Sequence, residues 1–260
     1  MSDTDAFLFR KIANELKYRD LAIVNRKAPL TLDHLTRIFN KWGSYPSYQE
    51  LITAIFLGHD ALLRSAELLS LQVIDIHWSF SEGQVTVIIR RSKAKRSGAA
   101  EHIILCNRPA PCPYSLLLQH FSRWQLFTQP YAYVFSDRSL PTGTPIKRTW
   151  LTNGIKTLVN SIGLNQHLYS THSLRAGGAT DLLRANVPLE IIKKAGRWRS
   201  DEVLKYFRDE TFVATTCSHA FESLSAGGRN NGGVQPTSHL RPTVYPNTLR
   251  VRFRQQKNKP

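Results

Sequence analysis

Residues 171–186 read THSLRAGGATDLLRAN, and this stretch decides more about the molecule than any other. It contains no proline, and its small residues Ala176, Gly177, Gly178 and Ala179 predict a helix with one nearly bare face. On such a helix His172 and Arg175, three residues apart, share a side. An imidazole beside a guanidinium suits an oxyanion or a phosphate. Taken alone, a His-x-x-Arg pair is more often an ordinary pair on an amphipathic helix.

Working outward, VPLEIIKKAG (187–196) reads as a short helix opened by Pro188 at the first helical position and ended by Gly196. Arg197 and Trp198 follow. Ser200 is a good N-cap, with Asp201 and Glu202 in the first turn of a helix through DEVLKYFRDE that carries Tyr206. A lone helical tyrosine is usually a core or rim residue, but this one closely follows the His–Arg pair.

Upstream, helices are expected over 149–161, over about 113–128, over 48–60 with Leu51, Ala54, Ile55 and Leu57 inward, and from a Thr31 N-cap to about Lys41. LLRSAELLSL (62–71) is expected to continue helically. Within it Glu67 lies one turn beyond Arg64 and can hold its guanidinium in place. VIDIHWSF (73–80) reads as extended and AYVFSD (132–137) as a short apolar run. QVTVIIRRSK (84–93) alternates Val85, Val87 and Ile89, and EHIILC (101–106) reads as the returning strand. The hairpin between them has a basic tip: Arg90, Arg91, Lys93, Lys95 and Arg96. The fold class is therefore mainly α with a small antiparallel β-sheet, and there is no internal repeat.

The ends differ in character. Residues 5–18 space Phe7, Ile12 and Leu16 like a helix, and LAIVNRKAPLT (21–31) reads as a linker into a new domain. From Ser225 the chain holds seven basic residues, no acidic one and four prolines, which reads as a basic, mostly disordered tail. The expected division is 1–27, a helix and linker left from an N-terminal DNA-binding domain; 28–224, a catalytic domain; and 225–260, the tail.

Composition narrows the function. The chain has 260 residues, of which 42% are hydrophobic, enough for a core and too many for global disorder. No apolar run is long enough to span a bilayer, and the N-terminus lacks the pattern of a secretory signal. Thirty-five lysines and arginines against nineteen acids give a net charge of +16, the electrostatic footprint of a nucleic-acid binder. Three cysteines, Cys106, Cys112 and Cys217, fit free thiols in a reducing compartment. His102, Cys106 and Cys112 lie close together in the sequence, but their spacing matches no common zinc pattern.

Arg64 in LLRSAELLSL, Lys93 in RRSKAKR, His172 and Arg175 in THSLRAGGAT, the Gly196-Arg197-Trp198 turn and Tyr206 in LKYFRD occur in one order, with ten residues from Gly196 to Tyr206. This ordered set resembles the tyrosine recombinases, the phage-integrase-like family, over roughly residues 28–210. GRW-x-S and RKAPLT look most like recombinases of eukaryotic mobile elements. The resemblance implies a catalytic-domain-like fold of that family. It also implies cleavage and rejoining of a DNA strand through a 3′-phosphotyrosyl intermediate, in site-specific recombination or integration of a mobile element. It implies no cofactor and no metal, double-stranded DNA as partner, and a homo-oligomer, a tetramer, on that DNA. No membrane partner and no small-molecule substrate are expected. The setting is intracellular, nuclear if the host is eukaryotic.

On this resemblance the site residues are Arg64, Glu67, Lys93, His172, Arg175, Trp198 and Tyr206. Tyr206 attacks phosphorus and expels a 5′ hydroxyl, and the covalent link conserves the bond energy for rejoining. The pentavalent transition state carries close to two negative charges. Arg64 and Arg175 fork onto its nonbridging oxygens, and His172 donates a third hydrogen bond. These cations supply the charge that a metal would otherwise supply. A phenol titrates near ~10 and must lose its proton, to His172 or a neighbour. Lys93 is the general acid for the leaving oxygen, with Lys95 as its rival.

Two features depart from the family pattern. The family usually has His or Trp directly after the glycine, where Arg197 stands here with Trp198 next to it; of the two, Trp198 is preferred. Members also usually carry a helical DNA-clamping domain before the catalytic one, and only about 27 residues precede it here. Two other readings therefore stay open: a type IB topoisomerase-like enzyme, and a non-catalytic or truncated DNA-binding derivative of a recombinase.

Overall fold

The computed structural model describes residues 27–90, 100–137, 143–199 and 203. The chain enters along residues 28–30 and turns into α1 (Leu32–Trp42) at Thr31, whose extended backbone makes it the N-cap. The first-turn N–H of Leu32 has no partner within its own helix. It finds one far away, Asp181 Oδ2 at 2.6 Å. Leu35 and Ile38 face inward.

α2 (Gln49–Asp60) is buried on every side from Leu51 to His59. A helix apolar all round belongs in the middle of a domain, and α1, α4 (Pro113–Arg123), α5 (Arg148–Ser161) and α6 (Thr171–Arg184) all pack on it. Its length and inward residues match the sequence expectation. The helical continuation does not. Leu62 takes a left-handed backbone, φ 49°, and the helix stops. A separate short helix, α3 (Ser65–Leu69), starts after it with Arg64 as an extended N-cap. The break has a use: it turns the Leu62 carbonyl toward α6, where Arg175 donates to it.

The bare face of α6 allows close approach. A Cβ on Gly177 would lie 1.9 Å from the Leu30 carbonyl oxygen, and one on Gly178 would lie 2.3 Å from that of His59. The backbones of α2 and of residues 28–30 therefore press against α6, with the Leu30 N–H donating to Ser173 O at 2.9 Å. Any larger side chain at these two glycines would force the helices apart.

The sheet has three strands, not two, in the order β1 (Ile76–Ser79), β2 (Gln84–Ile89), β3 (Glu101–Cys106), all antiparallel. Val85, Val87 and Ile89 are buried and alternate with half-buried neighbours, as the pattern predicts. Ile89 pairs with Glu101, so Glu101 is the first strand residue returning from the basic connection. A small ribbon, β4 (Ser136–Asp137) with β5 (Thr144–Pro145), leads to α5.

α4 ends at Arg123, earlier than expected, because Trp124 and a left-handed Gln125 (φ 52°) turn the chain into a single 3₁₀ turn, Leu126–Thr128. α7 (Leu189–Ala195) is capped by Pro188 itself, one position before the site expected for it, and ends at Gly196. One core cluster unites α1 to α6 with the sheet. A smaller one, Ala179, Ile192 and Val203, seats α7 on α6. The helix expected over 5–18, the helix carrying Tyr206 and the tail lie outside the described residues. Among the described residues no helix is long and apolar enough to cross a membrane.

Candidate active site

Five of the sequence-predicted residues, Arg64, Glu67, His172, Arg175 and Trp198, lie on or beside three elements that converge, α3, α6 and the turn after α7. Lys93, its rival Lys95 and Tyr206 lie outside the described residues.

Glu67 is the hub. Its Oε2 accepts the Arg64 backbone N–H at 2.9 Å, and its Oε1 accepts the Arg64 guanidinium at 2.6 Å. Both contacts follow from the break at Leu62, which makes Arg64 the N-cap and Glu67 the third residue of α3. Oε2 also meets Arg197 Nη2 at 2.8 Å. Burial works against the Glu67 charge, but Arg197 and Arg64 outweigh it and hold the carboxyl below its ordinary value. Arg64 remains 29% exposed while Glu67 is 4% exposed. The carboxylate thus stays inside and its arginine reaches the surface.

Arg197 is buried with a left-handed backbone, φ 60°. Its donors all turn inward. Nη1 reaches Ala195 O at 3.1 Å and Ala61 O at 3.5 Å, and Nη2 reaches Leu62 O at 3.0 Å besides Glu67. Nε lies 3.3 Å from Glu101 Oε2, an ion pair without hydrogen-bond alignment. Arg197 therefore ties the Arg64–Glu67 pair to the first residue of β3. Having spent its donors on the protein, it is a strut and not a substrate ligand.

Arg175 is 4% exposed. Its Nη1 donates to Leu62 O at 2.6 Å and Nη2 donates to Gly196 O. One left-handed carbonyl, Leu62, therefore organises two arginines. The Trp198 ring lies under the Arg175 guanidinium, 4.0 Å from ring centroid to Cζ. Such a desolvated cation–π contact contributes about 2 kcal/mol. The indole also rests on Gly196, where a Cβ would come within 1.7 Å of the ring. The glycine of the GRW turn is thus required by the tryptophan two residues on.

His172 is exposed at the start of α6, with its backbone N–H on Ser170 Oγ at 3.3 Å. Its Nε2 lies 3.2 Å from Nη2 of Arg148, a residue no sequence motif singled out. Partial burial, then Arg148 and Arg175, hold its pKa below the ordinary histidine value. Arg148 carried no signal beyond being one basic residue among many. Arg197 was legible only as a rival to Trp198. Among the described residues no group of three or more His, Cys, Asp or Glu converges as for a metal ion.

The family model described as the phage integrase family matches residues 29–212. The chain belongs to the phage integrase family. An integrase/recombinase xerD homolog of Selenomonas ruminantium is 23% identical over 158 residues, 60% of this integrase-family chain and 46% of that protein. Among solved structures, XerH site-specific recombinase bound to palindromic difH in a post-cleavage complex superposes with a TM-score of 0.58. The identity is 18%, over 74% of this chain and 53% of that one. XerA recombinase gives a TM-score of 0.54 at 17% identity, over 89% of this chain and 78% of that one. The chain spans about half the length of the first of these relatives. At such identities the superpositions speak for the fold: a tyrosine recombinase catalytic domain, helical with small antiparallel sheets.

Proposed function

We propose that this phage-integrase-family protein cleaves and rejoins a DNA strand through a 3′-phosphotyrosyl link on Tyr206, in site-specific recombination or integration of a mobile element. The observation that carries the reading is the Leu62–Glu67–Arg197 framework, which fixes Arg175 and presents Arg64 at the surface. Rigid cations placed where charge develops act in the way that stabilises an anionic transition state most. Arg64 and Arg175 bind the nonbridging oxygens of the scissile phosphate. Glu67 and Arg197 hold them in place, and Trp198 backs Arg175. Lys93 is the general acid.

Double-stranded DNA is the partner, and the active species is a homo-tetramer on it. Residues 28–224 form the catalytic domain, residues 1–27 a helix and linker, and residues 225–260 a basic tail that adds phosphate contacts. The net charge of +16 favours such a partner.

The test is a nicked suicide duplex carrying sequences that flank the gene, incubated with the protein in EDTA and run on a denaturing gel. A covalent protein–DNA adduct is expected, lost in Tyr206→Phe while DNA binding is kept. An adduct formed by Tyr206→Phe overturns the nucleophile. Binding without any adduct replaces the reading with a non-catalytic DNA-binding derivative.

A further inference from the structure

The connection between β2 and β3 leaves the sheet at Ile89 and returns at Glu101, and these two residues pair with each other. It carries Lys93. Each root of the connection is pinned by an ion pair. Arg90, directly after β2, pairs with Asp75, whose other oxygen accepts the Gln72 N–H at 2.9 Å. That pair ties the first root to the turn before β1. At the second root, Glu101 Oε2 lies 3.3 Å from Arg197 Nε. Arg197 in turn meets Glu67 at 2.8 Å, and Glu67 holds Arg64 at 2.6 Å. We propose that Glu101 is a positioning residue for strand cleavage: its ion pair with Arg197 holds the root of the Lys93-bearing connection in one frame with the arginines that bind the phosphate. This rests on the function proposed above.

Charge explains why a carboxylate stands at this root. Glu67 faces two guanidinium groups, Arg64 and Arg197. The Arg197 side chain is 5% exposed and that of Glu101 20% exposed. A second carboxylate balances the buried Arg197, and water screens the pair little. Because this charge comes from the sheet and not from a helix, balancing it also fixes the start of β3 against α3 and the turn after α7. The row Glu101–Arg197–Glu67–Arg64 thus has the connection at one end and the half-exposed phosphate-binding arginine at the other. In the step itself the Tyr206 oxygen bonds to phosphorus and its proton passes to solvent. The bond from phosphorus to the 5′ oxygen breaks with its electron pair on oxygen, which takes a proton from the Lys93 ammonium. A shift of about 1 Å between donor and oxygen costs on the order of 10²-fold in rate. The placement of the connection against the phosphate therefore bears on this proton more than on the attack.

The test uses the full chain and two nicked suicide duplexes that differ in one atom, the leaving 5′ oxygen or a sulfur in its place. A thiolate leaves without a proton, because a thiol titrates at ~8.5 and an alcohol far higher. Glu101→Gln should slow adduct formation on the oxygen duplex by about 10-fold or more and leave the sulfur duplex within about 2-fold of wild type. Lys93→Ala should show the same selectivity at about 10²-fold, and adding Glu101→Gln to it should slow neither duplex further. Equal losses on the two duplexes, or no loss on the oxygen duplex, overturn the proposal. A readout without catalysis is amide hydrogen exchange, which should be faster over residues 101–103 in Glu101→Gln and unchanged in β1. An unchanged rate over 101–103 overturns the tether. If the wild type cleaves neither duplex, the proposed function fails, and exchange still decides whether Glu101 holds this root.

Discussion

Two charged clusters lie within a few residues of each other at the end of α2, and they are built to opposite ends. In the first, His59 stands between Asp60 (Nδ1 to Oδ1, 2.7 Å) and Asp181 (Nε2 to Oδ2, 2.9 Å), and Arg108 pairs with Asp60. Two cations meet two carboxylates, and Asp181 also caps α1. Burial opposes the His59 charge, but the two carboxylates outweigh it and raise its pKa to about 9. The same partners hold Asp60 below its ordinary value against its own burial. In the second cluster Arg64 and Arg197 pair with Glu67, Arg197 also meets Glu101, and Arg175 shares the Leu62 carbonyl with Arg197, so that the three cations outnumber the two carboxylates. The first cluster balances its charge inside the protein and holds helices together. The second carries an excess of positive charge toward the surface and is completed by an anion. Buried charge as such does not mark a site; the sign left over does.

His59→Leu takes the shared partner from the half-buried Asp60 and Asp181, which keep Arg108 and the Leu32 N–H, and should cost about 3 kcal/mol of stability, read by urea unfolding. The folded fraction should form the DNA adduct at the wild-type rate.

The pH dependence follows from the same residue. The folded pKa of His59, about 9, lies above the free value of 6.5. Its contribution is therefore full below about 6.5 and is lost as pH rises through about 9, an effect on the order of 3 kcal/mol. Asp60 acts at the other end: its contribution is present above the free carboxyl value of 3.8 and is lost as pH falls. Unfolding free energies of wild type and His59→Gln should therefore converge as pH rises from 6.5 to 9.5. Parallel curves would show that His59 is not charged in the fold.

Glu67→Gln keeps the shape but removes the charge shared by Arg64 and Arg197. A loss of about 1–3 kcal/mol in stability is expected, because Arg197 retains Glu101. Adduct formation should fall together with it. A variant of wild-type activity would show that Arg64 needs no carboxylate. Smallest, Trp198→Leu should cost about 1–2 kcal/mol through the lost contact with Arg175, measured by thermal unfolding. A wild-type thermal midpoint would mean that the ring does not support the guanidinium.

How far the sequence could be read depends on the range of the forces involved. The bare face of 176–179 and the alternation of 85, 87 and 89 are local patterns, and both survive in the structure. Glu67 holding Arg64 is a contact within one turn, and it too was legible. The break at Leu62 was not, since residues 61–64 hold no glycine or proline; the pull of Arg175 and Arg197 on the Leu62 carbonyl comes from elements over a hundred residues away. His59 with Asp181 and Arg148 with His172 are likewise long-range pairs of common residue types, without a local signal. The inward turn of Arg197 needs both Glu67 and Glu101, which only the folded chain brings to it.

If the cluster with excess positive charge binds the scissile phosphate and the balanced one does not, two charge-conserving variants, Arg175→Lys and Arg108→Lys, should separate in single-turnover adduct formation at a temperature where both are folded. Arg175→Lys keeps the charge but loses the fork, and the rate should drop by about 10²–10³-fold. Arg108→Lys should stay within a few-fold of wild type. Equal rates in the two variants, or a larger loss in Arg108→Lys, would contradict the division of labour between the clusters.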